Sequence, residues 1–234
     1  MLGIIGAMPQ EVEQLKEKMT DVNITKKASM EFYRGILEGT ETVVVQAGIG
    51  KVNAACCTQL LLDLFEVDAV INTGIAGSLQ AKIDIGDIVL STDTVEHDVD
   101  VTAFGHAPGK IPGMQVQMFP CSKELRELAK ISCEAVNTDI HVHEGRVVSG
   151  DQFISSHEKK AWLTATFDGC CTEMEGAAIA HAAYLNEVPC LIVRAISDKA
   201  DDSAHVDYPA FEAKAIEHSV HLVAEIARRM SEKA

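Results

Sequence analysis

Apolar and polar positions follow two rhythms along the chain. Short aliphatic and β-branched runs recur at 2–6 (LGIIG), 42–48 (TVVVQAG), 68–74 (DAVINTG), 86–92 (GDIVLST), 146–150 (RVVSG) and 191–197 (LIVRAIS). Continuous runs of that length fit strands buried on both faces. Between them apolar residues return at helical spacing over about 9–20, 51–66, 122–136, 156–165 and 175–187, with a long last helix at about 209–230. Strand and helix alternate, which predicts an α/β fold. No repeat, low-complexity stretch or linker interrupts the 234 residues, so 1–234 is expected to be one domain. The longest stretch without a period is 97–117, punctuated by Gly105, Pro108, Gly109, Pro112 and Gly113. A loop of that length usually serves function or an interface.

Several strands run straight into glycine-rich or acidic loops: GAMPQE, AGIGK, TGIAGS and SDKAD. In α/β folds, ligands collect at such carboxyl-end loops. The glycine loops match neither phosphate-binding pattern, so tight turns and close approach of backbone N–H groups are both open readings.

Three carboxylates are placed to do chemistry there. Glu11 follows Pro9, a helix-opening residue, and reads either as first-turn charge or as a general base facing the strand-end cleft, with Glu13 its competitor. In Thr172-Glu173-Met174-Glu175-Gly176 two acids flank a methionine just before an apolar helix. They read as helix-start charge or as a carboxylate for a pair of ribose hydroxyls beside a soft apolar wall. Asp198 ends a strand-like run that carries Arg194. A partly dry pocket would raise its pKa and make it a proton donor, whereas an open loop would make it a turn aspartate. Arg194, inside an apolar run, needs an acid or carbonyls, either in a polar site or in a structural ion pair.

Charge removes other functions. Thirty-five acidic against twenty basic residues leave a formal charge of −15, which repels nucleic-acid backbones and anionic membrane surfaces. The first residues lack the basic region of a signal peptide and no run reaches membrane-spanning length, so a cytoplasmic protein is expected. Seven cysteines, with adjacent pairs at Cys56-Cys57 and Cys170-Cys171, have neither zinc-ligand nor disulfide-framework spacing and read as reduced thiols. His141 with His143, and His218 with His221, fit core-edge or solvent-facing roles better than a metal site. No metal or organic cofactor is expected.

Taken in order, GIIGAM with Glu11, AGIGK, INTGIAG, GDIV, EHDVDVTAFG, VSGDQFI, EME and VRAISD resemble the 5′-methylthioadenosine/S-adenosylhomocysteine nucleosidases, a branch of the purine nucleoside phosphorylase superfamily. The resemblance implies a single-domain three-layer fold, a central mixed β-sheet flanked by helices. It implies hydrolysis of the N-glycosidic bond of 5′-methylthioadenosine and S-adenosylhomocysteine. Asp198, assisted by Ser197, falls on the acid that protonates the purine at N7, and Glu11 on the base that activates water. Arg194 falls near the polar cluster that binds the water. Glu175 falls on the ribose-binding acid, and Met174 on the methionine beneath the sugar. Phe153 falls on the purine-stacking ring and Ile154 on the residue whose backbone hydrogen-bonds the base. Met8, Ile49, Tyr208 and Phe211 match or border the apolar 5′-alkylthio pocket. Phe104 and Pro112 would reach that pocket from a neighbouring subunit, which implies a homodimer and gives 97–117 a purpose.

Two positions depart from the pattern: Ile75, where many relatives carry a water-holding serine, and Tyr208, often phenylalanine. Backbone amides near Gly77 are the expected substitute for the serine. Glu11 in the first loop, with no phosphate-cradling arginine beside it, favours hydrolysis over phosphorolysis. The alternatives are a nucleosidase for another 5′-modified adenosine, such as aminodeoxyfutalosine or 5′-deoxyadenosine, a purine nucleoside phosphorylase, or a nucleoside-binding protein without catalysis.

Overall fold

The computed structural model describes residues 1–232. Strand β1 (Leu2–Gly6) leads to helix α1 (Pro9–Glu17), a hairpin β2 (Thr20–Lys27) and β3 (Met30–Leu37), then β4 (Thr40–Gln46) and α2 (Lys51–Leu64). There follow β5 (Ala69–Ser78), β6 (Ile88–Glu96), a short 3-10 helix at Thr102–Phe104, β7 (Phe119–Pro120) and α3 (Lys123–Val136). The chain ends with β8 (Val142–Ser149), α4 (His157–Phe167), β9 (Gly169–Glu173), α5 (Gly176–Leu185), β10 (Cys190–Asp198) and α6 (Ala204–Ser231).

The strands form one mixed sheet. Its spine is parallel: β4 beside β1, β1 beside β5 and β5 beside β10. Strand β10 then pairs antiparallel with β6, β6 parallel with β8, β8 parallel with β9, and β9 antiparallel with β5. These five strands close on themselves, and residues at the carboxyl ends of β5, β9 and β10 line one cavity.

Alternation along the strands builds the layers. Leu2 and Ile4 of β1 and Val44 of β4 join a core with Leu15 of α1, Ala129 of α3 and Val220 of α6. Ile5, Val43 and Val45 face the other way, into a core with Leu61 of α2 and Ile179 of α5. Sheet strands buried on both faces are why the sequence reads as uninterrupted apolar runs there. A third, smaller cluster joins Val95, Val148, Leu163 and Phe167 under α4.

The three-layer mixed α/β architecture stands as expected, and all six expected strands and six expected helices are present. Differences lie at the margins. Helix α1 stops at Glu17, and the β2–β3 hairpin, absent from the expected elements, extends the sheet edge. Every residue of β2 is exposed, its apolar Val22 and Ile24 included, so no face of it belongs to a core. Strand β9 begins on Gly169 and contains the Cys170-Cys171 pair. Helix α6 starts at Ala204 rather than near Pro209, which lies inside it. Among the described residues no helix is long and apolar enough to cross a membrane.

Candidate functional site

A cavity of about 390 Å³ opens at the carboxyl ends of β1, β5 and β10, a volume in the range of small-molecule sites. Four carboxylates line it, Glu11, Glu173, Glu175 and Asp198, with a single cation, Arg194. Met8, Ile49, Ile75, Gly77, Phe153, Met174, Ser197 and Tyr208 complete most of its wall. A narrow side chamber of about 30 Å³ is bounded by Gly77, Phe153, Ile154, Met174 and Asp198.

Glu11 sits in the first turn of α1 and is buried. Its Oε2 accepts from the backbone N–H groups of Ala7 at 2.6 Å and Met8 at 2.9 Å, and its Oε1 from that of Ile75 at 3.3 Å. Burial pushes its pKa up, while the Arg194 charge and those N–H groups hold part of the rise back. The Ile75 side chain, where a serine was the familiar pattern, is buried in the core, yet its main-chain N–H reaches Glu11. Glu13 is exposed and outside the cavity lining.

Arg194 faces Gly74 across the β10–β5 ladder. A side chain at Gly74 would overlap the Arg194 Nη1 and come within 2.5 Å of Glu11 Oε1, so only glycine admits this approach. The guanidinium donates to Asn72 Oδ1 and Glu173 Oε2 and lies 3.8 Å from Glu175 Oε2. It belongs both to a structural ion pair and to the polar site.

Glu173 was only half legible, one of two flanking acids. Its Oε2 accepts from the N–H groups of Glu175 at 3.0 Å and Gly176 at 2.7 Å, and its Oε1 from the Ser149 hydroxyl. Ser149 Oγ in turn accepts from Ala177 N at 2.7 Å. Glu173 and Ser149 thereby satisfy the orphan donors at the start of α5. Glu175, at the N-cap, is left free of that duty and accepts from Gly50 N at 2.8 Å. Burial and the neighbouring Glu173 push its pKa up to about 7. The signal in the sequence was the spacing of two acids across the strand end, but which acid capped the helix was not readable from it.

The pairing of β10 with β5 slips between Ile196 and Asp198, a bulge that leaves Ser197 as the extra residue. Bulges re-aim side chains. Here Asp198 is buried at the cavity wall, its Oδ2 accepting from Ser197 Oγ at 2.9 Å and its Oδ1 from Ala200 N at 2.7 Å. Burial raises its pKa against both hydrogen bonds.

Phe153 stands edge-on to Tyr208, ring centroids 5.8 Å apart, and is half exposed at the rim. The Tyr208 hydroxyl donates to Glu212 at 3.1 Å and lies 3.4 Å from Met8 Sδ. Phe211 is exposed on α6 and does not line the cavity. Phe104 is 84% exposed, and Pro112 is also exposed; neither reaches the cavity of its own chain.

The chain belongs to the phosphorylase superfamily, whose family model matches residues 1–229. A 5′-methylthioadenosine/S-adenosylhomocysteine nucleosidase from an Exiguobacterium species is 39% identical, over 99% of both chains. The solved nucleosidase of that name from Neisseria meningitidis, in complex with methylthio-immucillin-A, superposes with a TM-score of 0.93 at 40% identity over 97% of this chain and 98% of that one. A futalosine hydrolase from Helicobacter pylori gives a TM-score of 0.92 at 33% identity, over 97% of both chains. The chain belongs, within that superfamily, to the 5′-methylthioadenosine/S-adenosylhomocysteine nucleosidase family.

Proposed function

We infer that this chain hydrolyses the N-glycosidic bond of 5′-methylthioadenosine and S-adenosylhomocysteine, releasing adenine and the 5-thioribose product. The observation that carries hydrolysis is that the cavity wall offers no free cation: its one guanidinium is already held by Glu173 and Asn72, and the Glu11 carboxyl stands beside it. A phosphate dianion entering it would meet net repulsion, whereas neutral water and a cationic ribosyl centre would not.

The reading gives each carboxyl a role. Glycosidic cleavage puts positive charge on the sugar and negative charge on the leaving base, so one group must donate a proton and one accept. Asp198, whose buried carboxyl is held above its ordinary range, donates to N7 with Ser197 beside it. Glu11 takes a proton from the attacking water. The two line the same cavity, Asp198 against Gly77 and Glu11 against Gly74 of β5. Glu175 accepts from the ribose hydroxyls over Met174. The base stacks on Phe153 beside Ile154, and Met8, Ile49 and Tyr208 receive the 5′ substituent.

The mouth of the cavity is rimmed by exposed apolar groups, Ile49 at the 5′ end and Phe153 beside the base. We propose a homodimer in which Phe104 and Pro112 of one copy close this end of the other. Phe211, next to Tyr208 on α6, would border the closed pocket. Seven free thiols, six of them buried, fit a reducing cytoplasmic setting.

The test is adenine release from methylthioadenosine, S-adenosylhomocysteine and inosine, each with and without phosphate. Release from the first two that ignores phosphate, with inosine untouched, is expected. A strict phosphate requirement would move the chain to phosphorolysis. Failure on both thionucleosides with turnover of aminodeoxyfutalosine would favour a nucleosidase for another 5′-modified adenosine.

A further inference from the structure

The first turn of α2 carries a lysine that the catalytic scheme does not use. Lys51 Nζ donates to Asp98 Oδ1 at 2.6 Å and to Glu96 Oε2 at 3.0 Å, and its side chain is largely buried. Its own main-chain N–H donates to Asp151 Oδ1 at 2.8 Å, and Asp151 N donates to Asp98 Oδ2 at 2.9 Å. Lys51, Asp98 and Asp151 therefore form a closed ring of three hydrogen bonds. The ring bolts together two cavity-covering turns, the one holding Ile49 and the one leading to Phe153. Glu96 is braced from the far side by His181 Nδ1 at 3.1 Å, and that ring stacks on Phe119 with centroids 4.2 Å apart.

The residue before Lys51 makes this matter. Gly50 adopts φ of +95°, a conformation that favours glycine, and presents its N–H to Glu175 Oε1. We propose that Lys51 is a positioning residue: clamped between Asp98 and Glu96, it fixes the turn whose Gly50 N–H grips the Glu175 carboxylate, and so keeps that carboxylate aimed to receive a ribose diol. The inference rests on Glu175 as the ribose acceptor.

The groups facing Glu175 set the sign of the effect. Glu173 on β9 and Glu11 of α1 push its pKa up, as does burial, while Arg194 on β10 and the Gly50 N–H pull it down. Loosening Gly50 removes one of the two restraints, so the carboxyl stays protonated to higher pH and the diol loses its acceptor there.

Binding of methylthioadenosine is measured by calorimetry from pH 5 to 9 in an Asp198→Asn background, so that turnover does not intervene. Lys51→Met is expected to weaken binding about tenfold at pH 7, the usual scale for one lost hydrogen bond to a charged group. It should also move the acidic fall-off in affinity to higher pH, and Lys51→Arg, which keeps the cation, should restore most of both. Should Lys51→Met not fold, Asp151→Ala, at an exposed position, opens the same ring and should shift affinity and pH dependence in the same direction. Unchanged affinity, or a loss of affinity with no movement of the acidic fall-off, would overturn the proposal. Adenine release by the unaltered chain is a separate readout, so failure of the nucleosidase reading is seen independently.

Discussion

At Asp198 two hydrogen-bond donors and a dry wall compete, and burial wins. The carboxyl therefore keeps its proton at pH values where a free aspartate has lost it, which is the condition for donating to a leaving base. Asp198→Asn keeps the shape and loses the donated proton. We expect kcat to fall by about 10²- to 10⁴-fold with little change in KM, the range usual for general acid catalysis. In the unaltered chain kcat should decline as pH rises through the elevated Asp198 pKa. Steady-state adenine release across pH checks both, and a variant turning over near the normal rate would remove Asp198 from the reaction. Asp198 and Glu11 were readable as candidates because each follows an apolar run that ends at the cleft. The Arg194 contact with Glu173 was not, since nothing in one sequence tells which of several acids folds over a buried guanidinium.

At the scale of elements, the closed part of the sheet gathers strand ends, while the 97–117 segment leaves its aromatic outside. The 3-10 helix Thr102–Phe104 holds Phe104 in solvent, where a second copy could cover it. If Phe104 completes the neighbour's site, complementation follows. Phe104→Ala alone should raise KM about tenfold, the scale of losing one apolar wall. Co-expressed with Asp198→Asn, it should yield mixed dimers with one intact site, and a low-KM component should return. A mixture showing only the raised KM would place Phe104 outside its partner's site. The irregularity of 97–117 was visible in its glycines and prolines, and apart from that short helix the segment has no regular structure. The β2–β3 hairpin was missed although β3 alternates buried Met30 and Phe32 with half-buried Glu31 and Tyr33; only β2, the exposed edge strand, has no buried face.

For the whole molecule, the site works against the fold. Glu175 goes from an ordinary carboxyl in the unfolded chain, 4.5, to about 7 in the folded one. A raised carboxyl contributes its stability below the unfolded value and loses it as pH climbs through the folded value. Ionising Glu175 thus costs the folded state on the order of 3 kcal/mol by pH 8 and nothing near pH 4. Glu175→Gln keeps an oxygen for Gly50 N–H and removes the charge. It should raise Tm at pH 8 by clearly more than at pH 5 while abolishing tight nucleoside binding. Thermal melts at the two pH values decide it, and an equal change at both would show that the charge is not the burden.

The sequence by itself determined the layers: runs buried on both faces mark central strands, helical periods mark the covers, and both are local consequences of what each residue can leave in water. It also determined the list of chemical groups, because Glu11, Glu175 and Asp198 each stand where a strand gives way to a loop or helix. Only the tertiary structure decided their company. Gly74 of β5 lets Arg194 of β10 and Glu11 of α1 approach over it, a bulge turns Ser197 and Asp198 onto the cavity, and Glu173 takes the helix cap that frees Glu175. Lys51 reaches Asp98 over 47 residues of chain. Hydrogen bonding and desolvation act through space over a few ångströms, so partners far apart in the chain have no local pattern to announce them.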